Sequence, residues 1–98
     1  MAQEISSVRE LIARLRSGQY SSVGSYPLYF VTADCEVLSF AAVRENLWLV
    51  ARATRARSRG QHFDREWCVT HCEVNWENAD LFCAHSGERI ESAYAESG

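Results

Sequence analysis

The sequence predicts an α+β domain: a mainly antiparallel sheet of about five strands with two helices on one face, in the order α-β-β-α-β-β-β. Three observations carry that expectation. Apolar residues recur at helical spacing from Val8 and again from Phe40. Residues 26–32 and 67–76 are rich in β-branched and aromatic side chains, the composition of strands. Short apolar runs also meet at turn residues around Asp34 and Gly87, as hairpins do.

The chain's 98 residues suit a single domain spanning 1–98. With 47% apolar and 23% charged residues it has the make-up of a folded domain, which excludes a disordered segment. No apolar run approaches the ~18–20 residues a bilayer-spanning helix needs, so a membrane is excluded as partner. The start, MAQEISSVRE, lacks the apolar core of a signal peptide, which points to the cytoplasm. In a reducing compartment the four cysteines are free thiols or metal ligands sooner than disulfides. A net charge of −3 argues against a general nucleic-acid binder. All ten basic residues are arginine; coding bias accounts for that composition, and only their placement is informative.

Taken in order, Ser7 and Glu10 have capping-box spacing, Val8, Leu11, Ile12 and Leu15 form one apolar face, and Gly18 stops the helix. Residues 19–25 read as a loop. Residues 26–32 form a strand covered on both faces, turning at Ala33–Asp34 into a second short strand at 36–38. Cys35 lies at that turn, remote from the other thiols.

Ser39 caps a second helix expected over residues 40–58, with Gly60 beyond its end. Phe40, Val43, Leu47, Val50, Ala51 and Thr54 share its core-facing arc. Trp48 falls off that arc, among Arg44, Arg52, Arg55 and Arg59, and Leu49 points further still from the core. Trp and Arg are the types most enriched in binding hot spots, so these five residues are the candidate partner-binding set. A boundary tryptophan with a solvated arginine fringe is the alternative. The basic loop 55–65 is solvated, or attracts an acidic protein or phosphate.

Alternation along 67–76 puts Cys68, Thr70, Cys72, Val74 and Trp76 on one strand face and Trp67, Val69 and His71 on the other. Residues 81–83 and 88–94 then flank a turn at 84–87. Cys68, Cys72, Cys83 and His85 are the candidate metal ligands, with zinc the matching ion. Their spacing argues against it, because Cys68 and Cys72 lie about 13 Å apart on an extended strand unless a bulge intervenes. Two alternatives stay open: small apolar core residues, and a disulfide of Cys68 or Cys72 with Cys83. No nucleophile elbow, phosphate loop or H-E-x-x-H helix occurs, and the carboxylates have no distinctive pairing, so no enzyme and no cofactor are expected.

The run NWENADLFCAHSGERIESAYAE resembles the C-terminal signature of small uncharacterised proteins from bacteria, plasmids and phages. There NWE is followed by two residues, DL, an aromatic, C-x-H and a G-x-R-I-E-S-A-Y ending. LYFVTADCEVLSFAAVREN resembles the same group more loosely. In that group the position of Ser86 is sometimes cysteine, so serine here weakens a metal site. By size, acidity and lack of motifs the chain also resembles, as a class, phage-encoded inhibitors of host defence, including anti-CRISPR proteins.

The sequence therefore points to a non-enzymatic protein-interaction module, such as a mobile-element factor that inhibits a host defence complex by binding its surface. A homodimer through Trp48 and Leu49 is one form of it. The alternative is a small nucleic-acid-binding domain contacting zinc through the Cys/His set and phosphate through Arg52 to Arg59. A thiol-based redox sensor is the third reading, and it requires an exposed, acidic cysteine.

Overall fold

Ser7 sets the first boundary: its hydroxyl accepts a hydrogen bond from the Glu10 amide at 3.2 Å. The Glu10 carboxylate in turn accepts from the Ser6 amide and hydroxyl at 2.9 and 2.7 Å, which together hold its pKa below the ordinary value. The helix that follows, α1 (Val8–Ser17), buries Leu11 and Leu15 and ends at Gly18, whose φ of 91° a residue with a side chain would resist. The computed structural model describes residues 3–21 and 24–94. Met1 and Ala2, Ser22 and Val23 of the expected loop, and Ala95 and Glu96 at the end of the signature run lie outside the described residues.

The hairpin forms as expected. Strand β2 (Leu28–Thr32) pairs antiparallel with β3 (Val37–Leu38) across the loop Ala33, Asp34 and Cys35. Leu28, Phe30 and Thr32 are buried while Tyr29 and Val31 are half-buried, so one face is fully covered and not both. Cys35 sits at φ 64°, in the left-handed region that favours glycine.

The second helix is two helices. Asn46 leaves the helical region at φ −117° and ψ 30°, and both its amide and its side chain donate to the Ala42 carbonyl, at 3.1 and 2.9 Å. That ends α2 (Phe40–Glu45), and the Asn46 carbonyl then accepts the first bonds of α3 (Leu47–Ser58). The break rotates the buried face: Val50, Ala53 and Thr54 go inside, whereas Ala51 is half-buried. Ser39 caps α2 as predicted, accepting from the Ala42 amide at 3.0 Å.

Strand β4 (Val69–Val74) lies inside the sheet, between β2 and a strand that the sequence reading missed, β1 (Gln3–Glu4). The sheet order is β1-β4-β2-β3, antiparallel throughout. A bulge interrupts β4: Val31 faces His71 and Thr32 faces Val69, so Thr70 is the extra residue. The bulge resets side-chain parity, so Val69 and Cys72 are both buried though three positions apart. The expected grouping of Cys68, Thr70 and Cys72 on one face is thereby overturned.

The expected order and fifth strand do not form. The turn at 84–87 is present, with Gly87 at φ 75° and its amide donating to the Cys83 carbonyl at 2.9 Å. Its flanks share only the Phe82–Arg89 bridge. What holds the C-terminal segment is Asn75, 3% exposed. Its side-chain amide donates to the carbonyls of Asn78, Glu91 and Ile90 at 3.0, 3.1 and 3.4 Å, and its side-chain oxygen accepts from the Asn78 amide at 3.2 Å. Its main chain donates to Pro27 and accepts from Ala93, both at 2.9 Å.

All three helices feed one core. Leu11 and Leu15 of α1, Phe40, Ala42 and Val43 of α2 and Val50 of α3 cluster with Leu28, Phe30, Val69 and Cys72 of the sheet. Phe30 and Phe40 stack at its centre, 4.4 Å between centroids.

Asn75→Ala would remove four hydrogen bonds, the one to the buried Ile90 carbonyl among them, and a loss of about 1–3 kcal/mol is expected in a denaturant titration. Cys35→Gly should act in the opposite direction, by about 0.5–1 kcal/mol, because it relieves a left-handed residue while adding freedom to the unfolded chain.

Candidate functional site

On α3, Trp48, Arg52, Arg55 and, one residue past the helix, Arg59 follow one another at spacings of four, three and four, which aligns them within about 60° on the solvent side. Trp48 is 67% exposed, the most of any large apolar side chain among the described residues. The Arg52 guanidinium lies over its ring, 5.5 Å from the centroid, an i to i+4 cation–π contact that holds both side chains against the helix. Arg55 and Arg59 are exposed along the same line.

Arg44 does not join them. It belongs to α2, beyond the Asn46 break; its guanidinium donates to the Leu15 carbonyl at 2.8 Å and lies 5.8 Å from the Phe40 ring centroid. That position ties α2 to the C-terminal end of α1, where a cation meets the helix's free carbonyls. Its guanidinium contacts are made within the fold.

Beside the stripe, α3 and the 62–67 segment form a groove of about 560 Å³ whose walls include Leu49, Arg52, Ala56, Phe63, Arg65 and Trp67. Trp67 also lines a second cleft, of about 490 Å³, with Asp34, Glu36, Glu66 and His85. His85 meets the Trp67 ring edge-on at 5.0 Å. Trp67 thus lines both a groove whose charged walls are Arg52, Arg65 and Asp64 and an acidic cleft.

The four expected metal ligands are not brought together. Cys72 is buried in the core near Arg14, Cys68 lies near Arg57, and Cys83 sits at the turn beside Ser39 and Ser86. Among the described residues no three His, Cys, Asp or Glu side chains are grouped to hold a metal ion, and all four cysteines are free thiols. No disulfide joins Cys68 or Cys72 to Cys83.

Their acidities follow their surroundings. Burial pushes the Cys72 thiol from 9.0 up to about 11, with Arg14 opposing it. Burial also raises Cys68, against Arg57. At Cys83 burial pulls the same way but is outweighed by hydrogen bonds from Ser86, Ser39 and His85, so its pKa is lowered. Cys83 is nonetheless 2% exposed, so no reagent reaches it. Cys35 is the exposed one.

One aromatic group comes together that no single stretch of the sequence announces. Tyr26 lies 4.5 Å from Trp76, and Trp76 is nearly parallel to Tyr94 at 6.1 Å between ring centroids. Gly24 makes room for it: a Cβ there would stand 2.5 Å from the Tyr26 ring. The signal was present in the sequence only as isolated aromatics that the folding of the C-terminal segment gathers.

Comparison with protein-family profiles, with curated proteins and with solved structures returned no match. Among the described residues, no helix is long and apolar enough to cross a membrane.

The thiol chemistry sets a pH dependence. Below about 9 the Cys72 thiol is neutral folded or unfolded. Above that the unfolded chain releases the proton while the folded chain keeps it up to about 11, so stability present at neutral pH is lost as the pH rises through this window. Thermal midpoints measured from pH 7 to 11 should fall, and Cys72→Ala, though less stable at pH 7, should show a shallower fall.

Proposed function

We propose that this chain is a non-enzymatic protein-interaction module that docks its α3 face onto an acidic surface of a protein partner. The observation that carries the reading is Trp48, two-thirds exposed and held in place beneath Arg52, which itself lines a groove. A large ring kept in water costs solvation free energy, and a pre-set rotamer lowers the entropy lost when a partner covers it. Arg52, Arg55 and Arg59 lie along the same helix line, and their excess of positive charge over the single Asp64 of the neighbouring groove favours carboxylates opposite and speeds encounter. The module acts by occupying a surface rather than by chemistry. A counter-defence role in a mobile element is supported by the resemblance of class alone.

Trp48→Ala and Arg52→Ala should each weaken capture of the partner from the source cell at least tenfold, in line with losses of about 2 kcal/mol at hot spots. Neither should move the thermal midpoint by more than a degree or two, because both side chains lie outside the core. Equal recovery of the same proteins by wild type and both variants would remove the α3 face from consideration. Recovery of nucleic acid instead, with a steep salt dependence, would favour the phosphate-contacting reading.

A further inference from the structure

We propose that the acidic surface seated on the α3 face belongs to a second copy of this chain, bound about a two-fold axis that passes beside Trp67. This rests on the reading of α3 as a binding face and names its occupant.

Charge decides the arrangement. Two α3 faces laid directly on one another would oppose Arg52, Arg55 and Arg59 with the same three residues, and like charges in register cost several kcal/mol. A dimer through Trp48 and Leu49 alone is therefore disfavoured. The chain carries its own complement, however. Asp34, Glu36 and Glu66 line a cleft that Trp67 also lines, with His85 the only basic residue among its lining residues. Because the groove and the cleft share Trp67 as a common wall, they are adjacent parts of one surface.

Adjacency is what allows closure. A two-fold axis beside Trp67 lays the arginine stripe of each copy over the acidic cleft of the other, and both contacts form at once. Had the two features lain on opposite sides of the molecule, the same attraction would have built an open chain of copies. Leu49, Phe63 and Trp67 then fall near the axis and the charged groups towards the rim, the usual anatomy of a protein interface. Pairs at a wet rim are screened by salt, so association weakens as ionic strength rises.

Sedimentation velocity across a concentration series tests this. At roughly 0.05 M salt the wild-type chain should reach twice the monomer mass, and at roughly 0.5 M it should dissociate. Arg52→Glu and Glu36→Arg should each be monomeric under both conditions. An equimolar mixture of the two should recover the dimer, since each contact then pairs opposite charges again. A wild-type chain that stays monomeric throughout overturns the proposal, and so does a dimer that survives both reversals or a mixture of folded variants that stays apart. If either variant fails to fold, the wild type still answers. Cys35, exposed between Asp34 and Glu36, should react more slowly with a thiol reagent as concentration rises at low salt. An unchanged rate overturns the dimer. A monomeric wild type whose captured partner is still lost on Trp48→Ala would reject the second copy and leave the α3 face as the docking surface.

Discussion

The side-chain amide of Asn75 is the interaction on which the arrangement of the rest depends. It stands directly after β4, and it reaches the carbonyls of Asn78, Ile90 and Glu91 while its main chain bonds to Pro27 and Ala93. One residue therefore joins the strand, the loop after it, the entry to β2 and the C-terminal segment. A buried amide with these bonds made is close to neutral in net free energy, but any alternative path for the C-terminal segment would forfeit its bonds to Ile90 and Glu91 and leave only those to Asn78. The residue acts less by adding stability than by excluding other arrangements.

The bulge at Thr70 has comparable reach. By admitting one extra residue it sends both Val69 and Cys72 inward, which completes the core beneath α1 and α2 and separates Cys68 from Cys72 in environment. The same local irregularity thus explains why a cysteine-rich strand serves the hydrophobic core. Thiols here behave as small apolar groups, and the acidity of Cys72 reflects that burial.

Much of the fold could be read from local chemistry. Ser7, Ser39 and Gly18 marked helix ends because caps are contacts within a few residues, and the β2–β3 hairpin was visible for the same reason. The Trp48 position was legible because helical geometry alone separates it from the core arc. What escaped depends on partners distant in sequence. Gln3–Glu4 forms a strand because β4 offers an edge, not because two polar residues prefer one. Residues 88–94 follow Asn75 rather than pairing as a strand, and no pattern in them announces it. Asn46 was a local signal overlooked: its side chain competes for a helix carbonyl, and that break is what removed Arg44 from the arginine stripe. The acidic cleft, assembled from residues near 35, 66 and 85, had no signature in any single stretch.

Both margins of the sheet are short. Among the described residues β1 and β3 are two residues each, and the Val37 carbonyl on the β3 margin is already taken by the Ala84 amide at 2.8 Å. An incoming strand would find little main chain to pair with along these two described margins. The consequence is practical as well as physical. Contacts the chain makes with other molecules therefore fall mainly to side chains, where single substitutions can edit them.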